Sequence, residues 1–109
     1  MEKEKAFIST PMRDKTQEEI TKSIARATDF LSGKGYDVVY SYDPVRLEIV
    51  MRNGIPNPNL YMLGQSFMKM AECEAVYFCK GWDHSVGCKL EHDAAFDYGL
   101  DIYFEEEIS

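Results

Sequence analysis

The chain has 109 residues, 45% of them hydrophobic, and a formal net charge of -7. That size predicts a single domain over residues 1–109, and the apolar content suffices for one core and excludes a disordered chain. The acidic balance argues against a nucleic-acid polymer or an anionic membrane surface as partner, and no stretch reaches the ~20 apolar residues that span a bilayer.

Residues 5–10 (KAFIST) form a short apolar run ended by Pro11, which predicts a buried first strand. The loop TPMRDK follows. Thr16 and Glu19 then make a T-x-x-E capping box, and Ile20, Ile24, Ala27 and Leu31 repeat at helical spacing, predicting an amphipathic helix over 16–32. Gly33 and Gly35 stop it. Residues 36–42 (YDVVYSY) are β-branched and aromatic and predict a second strand. The stretch 43–59 holds Pro44, Gly54, Pro56 and Pro58 and reads as an irregular connection, with a short helical turn in VRLEIVM. A second helix is expected over 59–72. Met62, Met68 and Met70 make it apolar around much of its circumference, which fits a core helix or a contact between subunits in a homodimer or higher homo-oligomer.

Residues 75–80 (AVYFCK) are a near-continuous apolar run of the kind found in parallel sheets. The turn GWDHSVG leads into a third helix over 85–98, and LDIYF closes the chain's secondary structure as a last strand. Strands alternating with helices predict an α/β fold: a flavodoxin-like or Rossmann-like three-layer sandwich with a parallel sheet of four or five strands. Ligands of such folds bind at the carboxyl ends of the strands, where TPMRDK and GWDHSVG should meet. The three cysteines form no CxxC pair and the N-terminus lacks a signal-like run, which predicts reduced thiols and a cytoplasmic location.

Glu91 is the residue out of place. On a wheel of the third helix, Val86, Leu90, Ala94, Gly87, Tyr98 and Ala95 fill an arc of about 180°, and Glu91 falls inside it at about 140° from Val86. A carboxylate on a packed face needs partners, a purpose, or a route to water. Ser85 stands where the helix begins and reads either as an ordinary cap or, with Gly87 and Arg13, as a phosphate site. Trp82 can stack on a base or pack, and Asp83 and His84 can move protons. His84, Cys88 and His92 have ligand spacing, but residue 84 precedes the helix and no fourth ligand is apparent, so no metal and no cofactor are expected.

The segments FISTPMR, AECEAV, YFCKGW and SVGCKLEHDAAFDYG, in this order and spacing, resemble the nucleoside 2-deoxyribosyltransferase superfamily. That group includes the 2'-deoxynucleoside 5'-phosphate N-hydrolases and short bacterial and phage domains, which the GW before the motif resembles most. The resemblance implies that Glu91 is the nucleophile that attacks the anomeric carbon. Ser six residues before the Glu, here Ser85, together with Arg13 in the first loop, implies a nucleoside 5'-monophosphate as the small-molecule substrate. Thr10, Met12, Arg13, Trp82, Ser85 and Gly87 would then contact substrate, and Asp83 would assist the leaving base. The same resemblance implies sites completed by a neighbouring subunit. Phe7 stands where the superfamily usually has an orienting Tyr, and Ser66 where it usually has an Asp. These replacements leave room for a non-catalytic nucleotide-binding module of the same fold.

Overall fold

A computed structural model describes residues 3–40 and 42–105. In chain order the elements are β1 (Lys5–Ser9), α1 (Gln17–Gly33), β2 (Asp37–Tyr40), α2 (Pro44–Arg52), α3 (Pro58–Met70), β3 (Ala75–Phe78), α4 (Val86–Asp97) and β4 (Asp101–Phe104), with a 3-10 turn at Trp82–His84 before α4. The strands form one sheet in the order β2-β1-β3-β4, and every pairing is parallel. The architecture is α/β, a flavodoxin-like three-layer sandwich, with four strands among the described residues.

Alternation along the central strands divides the core in two. Ala6 and Ile8 of β1, with Ala75, Tyr77 and Cys79, face α1 and meet its stripe of Ile20, Ile24, Ala27 and Leu31. Phe7, Val76 and Phe78 face the opposite layer and meet Met70, Cys73 and Ala95. All four residues of β3 are buried, as an interior parallel strand requires. The α1 capping box forms as expected: Glu19 N–H donates to Thr16 Oγ1 and Thr16 N–H to Glu19 Oε1.

The stretch 43–59 is not the irregular connection that its prolines suggest. Asp43 caps α2 by accepting from Arg46 N–H at 3.1 Å, and Asn57 caps α3 by accepting from Leu60 N–H at 3.0 Å. Pro44 and Pro58 each sit in the first turn, where a missing N–H costs nothing and a fixed φ favours the helix. The punctuation was that of two helix starts. The strand expected over 36–42 is confined to β2; Tyr36 and Tyr42 lie beyond its ends, and Ser41 lies outside the described residues. Of the acidic tail 105–109, only Glu105 is described.

The buried face of α4 also differs from the wheel. Val86 is 70% exposed and Tyr98 86%, while Cys88, Glu91 and Ala95 are buried. The apolar arc weighted the large residues. Close packing of a helix on a sheet instead selects small ones such as Cys88 and Ala95, and that choice turns Val86 and Tyr98 outward while Glu91 stays on the buried side. In α3, Ser66 and Met70 face inward, and Leu60 and Met68 remain exposed. Among the described residues no helix is long and apolar enough to cross a membrane.

Candidate active site at the carboxyl ends of β1 and β3

Parallel pairing of β1 with β3 brings their carboxyl ends together, and Cys79 N–H donates to Ser9 O at 3.0 Å just beyond the strands. The chain leaves β3 through Gly81, whose φ of 90° is in the left-handed region that glycine tolerates. A Cβ there would come 3.6 Å from Pro11 Cγ, so the loops after β1 and β3 lie against each other as expected. The 3-10 turn then delivers Ser85 as the α4 cap, where Ser85 Oγ accepts from Cys88 N–H at 3.3 Å.

About one and a half helical turns of α4 carry Glu91 to the sheet. It is 7% exposed, and Ser9 Oγ donates to Glu91 Oε1 at 2.6 Å. Ser9 reaches it because it shares a β1 face with Phe7, the face that α3 and α4 cover. The buried Ser66 of α3 donates its hydroxyl proton to Met62 O at 3.3 Å. Burial pushes the Glu91 carboxyl above its ordinary value of 4.5, and the Ser9 and Ser66 hydroxyls pull against that rise. No cation among the described residues helps to hold the charge. Burial likewise pushes the neighbouring Cys88 thiol up, opposed by the hydroxyls of Ser85 and Ser9 and reinforced by the Glu91 charge. Glu91, Ser9, Ser66, Cys88 and Ser85 therefore form one polar cluster between α3, α4 and the strand ends.

The other expected site residues are less closely drawn in. Thr10 follows Ser9 and so points to the opposite face, where Oγ1 lies 3.5 Å from Cys79 Sγ. Its side chain is not part of the Glu91 cluster. Met12 and Arg13 are exposed on the first loop. Asp83 is exposed too and pairs with His84 at 3.9 Å. Trp82 packs: it stacks on His92 with ring centroids 4.7 Å apart and also rests on Phe78 and Phe104. Gly87 borders open space, since a Cβ there would touch nothing within 4 Å. His84 stands in the 3-10 turn and outside α4, and no group of three His, Cys, Asp or Glu side chains among the described residues is arranged to hold a metal. Among the described residues, surface clefts of about 230 and 390 Å³ lie along α2 and along α1 respectively, and neither of these is lined by Glu91.

Ser9 is the residue that sequence reasoning passed over. A hydroxyl two residues after Phe7, at the carboxyl end of a buried strand, was the available signal. Ser66, which stands where the superfamily usually has an Asp, is buried and gives its hydroxyl proton to Met62 O. The polar cluster yields two expected outcomes. Ser9→Ala should destabilise the protein by about 1.5–3 kcal/mol at neutral pH, because it strips a charge-assisted donor from a buried carboxylate. Urea unfolding reads this directly, and an unchanged midpoint would rule out that bond as a contributor. The second concerns pH. The folded protein holds the Glu91 proton where the unfolded chain has released it, so this group contributes stability below 4.5 that fades as pH rises through its raised value. Wild type should lose stability relative to Glu91→Gln across that window, and parallel pH profiles would contradict the assignment.

No curated protein and no solved structure matches the chain significantly. A family does match, over residues 4–104 and thus over the whole of the fold just described, and the chain belongs to it: Domain of unknown function (DUF4406).

Proposed function

We propose that the protein cleaves the N-glycosidic bond of a (deoxy)nucleoside 5'-monophosphate, or transfers deoxyribosyl between bases, with Glu91 as nucleophile. The observation that carries this reading is the buried Glu91 carboxylate, gripped through Oε1 by Ser9 at the strand ends and about one and a half turns beyond a Ser-capped helix start. A buried carboxylate without a cation is costly to maintain, and such groups concentrate at reactive sites.

The chemistry follows from the carboxylate. Ionised Glu91 attacks the anomeric carbon as the bond to the base nitrogen breaks, through an oxocarbenium-like transition state that its charge stabilises. The bonding pair leaves with the base, which takes a proton from Asp83 or from water. The resulting glycosyl ester is then hydrolysed, or is captured by a second base. Ser9 fixes the rotamer of Glu91 and favours its ionised form. Ser85, Gly87 and Arg13 are suited to the 5'-phosphate, with the open space in front of Gly87 as room for it and the α4 dipole favouring an anion. Trp82 flanks the base, and Thr10 and Met12 border the site through the first loop. The reaction calls for no cofactor. The exposed Leu60, Phe67 and Met68 of α3 suit a contact in a homodimer or higher homo-oligomer, and the location is cytoplasmic.

One observation favours a second reading. Glu91 is only 7% exposed and lines neither cleft, as in a module that binds a nucleotide without reacting with it. Incubation with a panel of deoxynucleoside and ribonucleoside 5'-monophosphates separates the two, with free base measured by chromatography. Release of base from at least one member is expected. A ligand-dependent rise in melting temperature without any release selects the binding module, and neither response removes both readings.

A further inference from the structure

A separate charged feature lies on the α1 side of the sheet, opposite the Glu91 layer. Lys15, Lys22, Ser23 and Arg26 face Lys80 and Gly81 across the cleft of about 390 Å³, with Glu19 also on its wall. The chain carries 12 Lys and Arg against 19 Asp and Glu, so four cations on one cleft run against its composition. Lys22 pairs with Glu18 at 3.0 Å, but both are largely exposed and such pairs exchange at little cost. Among the described residues neither Lys15 nor Lys80 enters an ion pair.

The chain itself displays how an oxyanion is held at this place. Glu105 Oε2 accepts from Arg26 Nε at 3.0 Å, and Glu105 Oε1 accepts from the Lys80 backbone N–H at 2.9 Å. Arg26 is further fixed by donating from Nη2 to Ser23 Oγ at 3.2 Å. The Glu105 side chain is only 16% exposed. A guanidinium from α1 and an amide at the end of β3 thus form a two-pronged cradle that is filled by a carboxylate from the end of β4. Guanidinium and backbone N–H groups take phosphate oxygens in the same manner, and a phosphate brings more charge and a further oxygen. That surplus matches the ammonium groups of Lys15, Lys22 and Lys80 around the cleft.

We propose that this cleft is a binding site for a soluble phosphate-bearing small molecule, which displaces the Glu105 carboxylate from Arg26 and the Lys80 N–H and adds the surrounding lysines. It does not rest on the glycosidase reading and leaves the Glu91 cluster untouched. The probe is inorganic pyrophosphate, titrated into the full chain and followed by amide chemical shifts. Saturable shifts are expected at Lys15, Ser23, Arg26, Lys80 and Gly81, with affinity falling as salt rises. Lys15→Ala combined with Lys80→Ala should raise the Kd about tenfold or more. Glu105→Gln should lower the Kd by removing the competing charge. Lys34→Ala combined with Arg52→Ala, which changes the net charge equally, and Glu91→Gln should leave it unchanged. The proposal is overturned by any of three results: no saturable shift, shifts centred on Ser85 and Gly87 instead, or equal weakening by the two double variants. Capture on vesicles containing phosphatidic acid, without a saturable response to pyrophosphate, would point to a lipid headgroup and would also overturn it.

Discussion

Glu91→Gln should slow base release by roughly a thousandfold or more while leaving the protein at least as stable as wild type at neutral pH. The two halves of this expectation have one cause. The amide keeps an oxygen where Ser9 Oγ now donates at 2.6 Å, so the tie between β1 and α4 survives. It has no charge to desolvate, so the burial that raises the carboxyl's pKa no longer opposes folding. It is also a far poorer nucleophile than a carboxylate. A purely structural Glu91 predicts a different pair of results, in which turnover is retained or is lost together with stability. Single-turnover base release and urea unfolding on the same preparation distinguish these cases. An active Glu91→Gln protein would end the nucleophile proposal.

Phe78→Ala should cost about 3–5 kcal/mol, a large part of the roughly 5–15 kcal/mol that a domain of this kind has in total. Phe78 is fully buried at the end of β3, and its ring lies 5.3 Å from Trp82, 5.4 Å from His92 and 5.7 Å from Phe104. Truncation leaves a cavity under three rings at once, and rings held by a strand end and a helix relax poorly into it. Trp82 is the only tryptophan in the chain, so its emission reports on the same place. The variant should unfold at much lower urea, with native-state emission shifted to the red as the indole loses its support. Phe78→Leu, which fills most of the volume, should recover much of the loss. A cost near 1 kcal/mol would mean that the aromatic group does not act as a packed unit. Because His92 adjoins Glu91 on α4, this cluster also holds the helix that carries the candidate nucleophile.

Local chemistry was readable wherever it was encoded locally. Thr16 and Glu19 announced the start of α1, and Ile20, Ile24, Ala27 and Leu31 its buried stripe, because capping and helical period depend on neighbours three or four residues away. The apolar run of β3 declared an interior strand for the same reason. Pro44 and Pro58 misled because proline is compatible with both a loop and the first turn of a helix, and the capping oxygens of Asp43 and Asn57 decide between them. Met12, Arg13 and Asp83 were placed at the carboxyl end of the sheet by topology alone. Topology does not aim side chains, and these three stand exposed while Ser9 carries the hydrogen bond to Glu91.

The amino-acid sequence by itself determined the order of the four strands and of every helix but α2, the parallel sheet that this order entails, and the presence of one carboxylate where α4 should be packed. Those properties follow from patterns a few residues long and from the right-handed crossover that links parallel strands. Only the tertiary structure decided which side of α4 faces inward and which group Glu91 meets there. Ser9 and Glu91 are 82 residues apart in the chain, and they meet because small residues let α4 lie close on the sheet with that one rotation. The rotation of a helix about its own axis is settled by the surface it packs against, and so is the partner of its buried carboxylate.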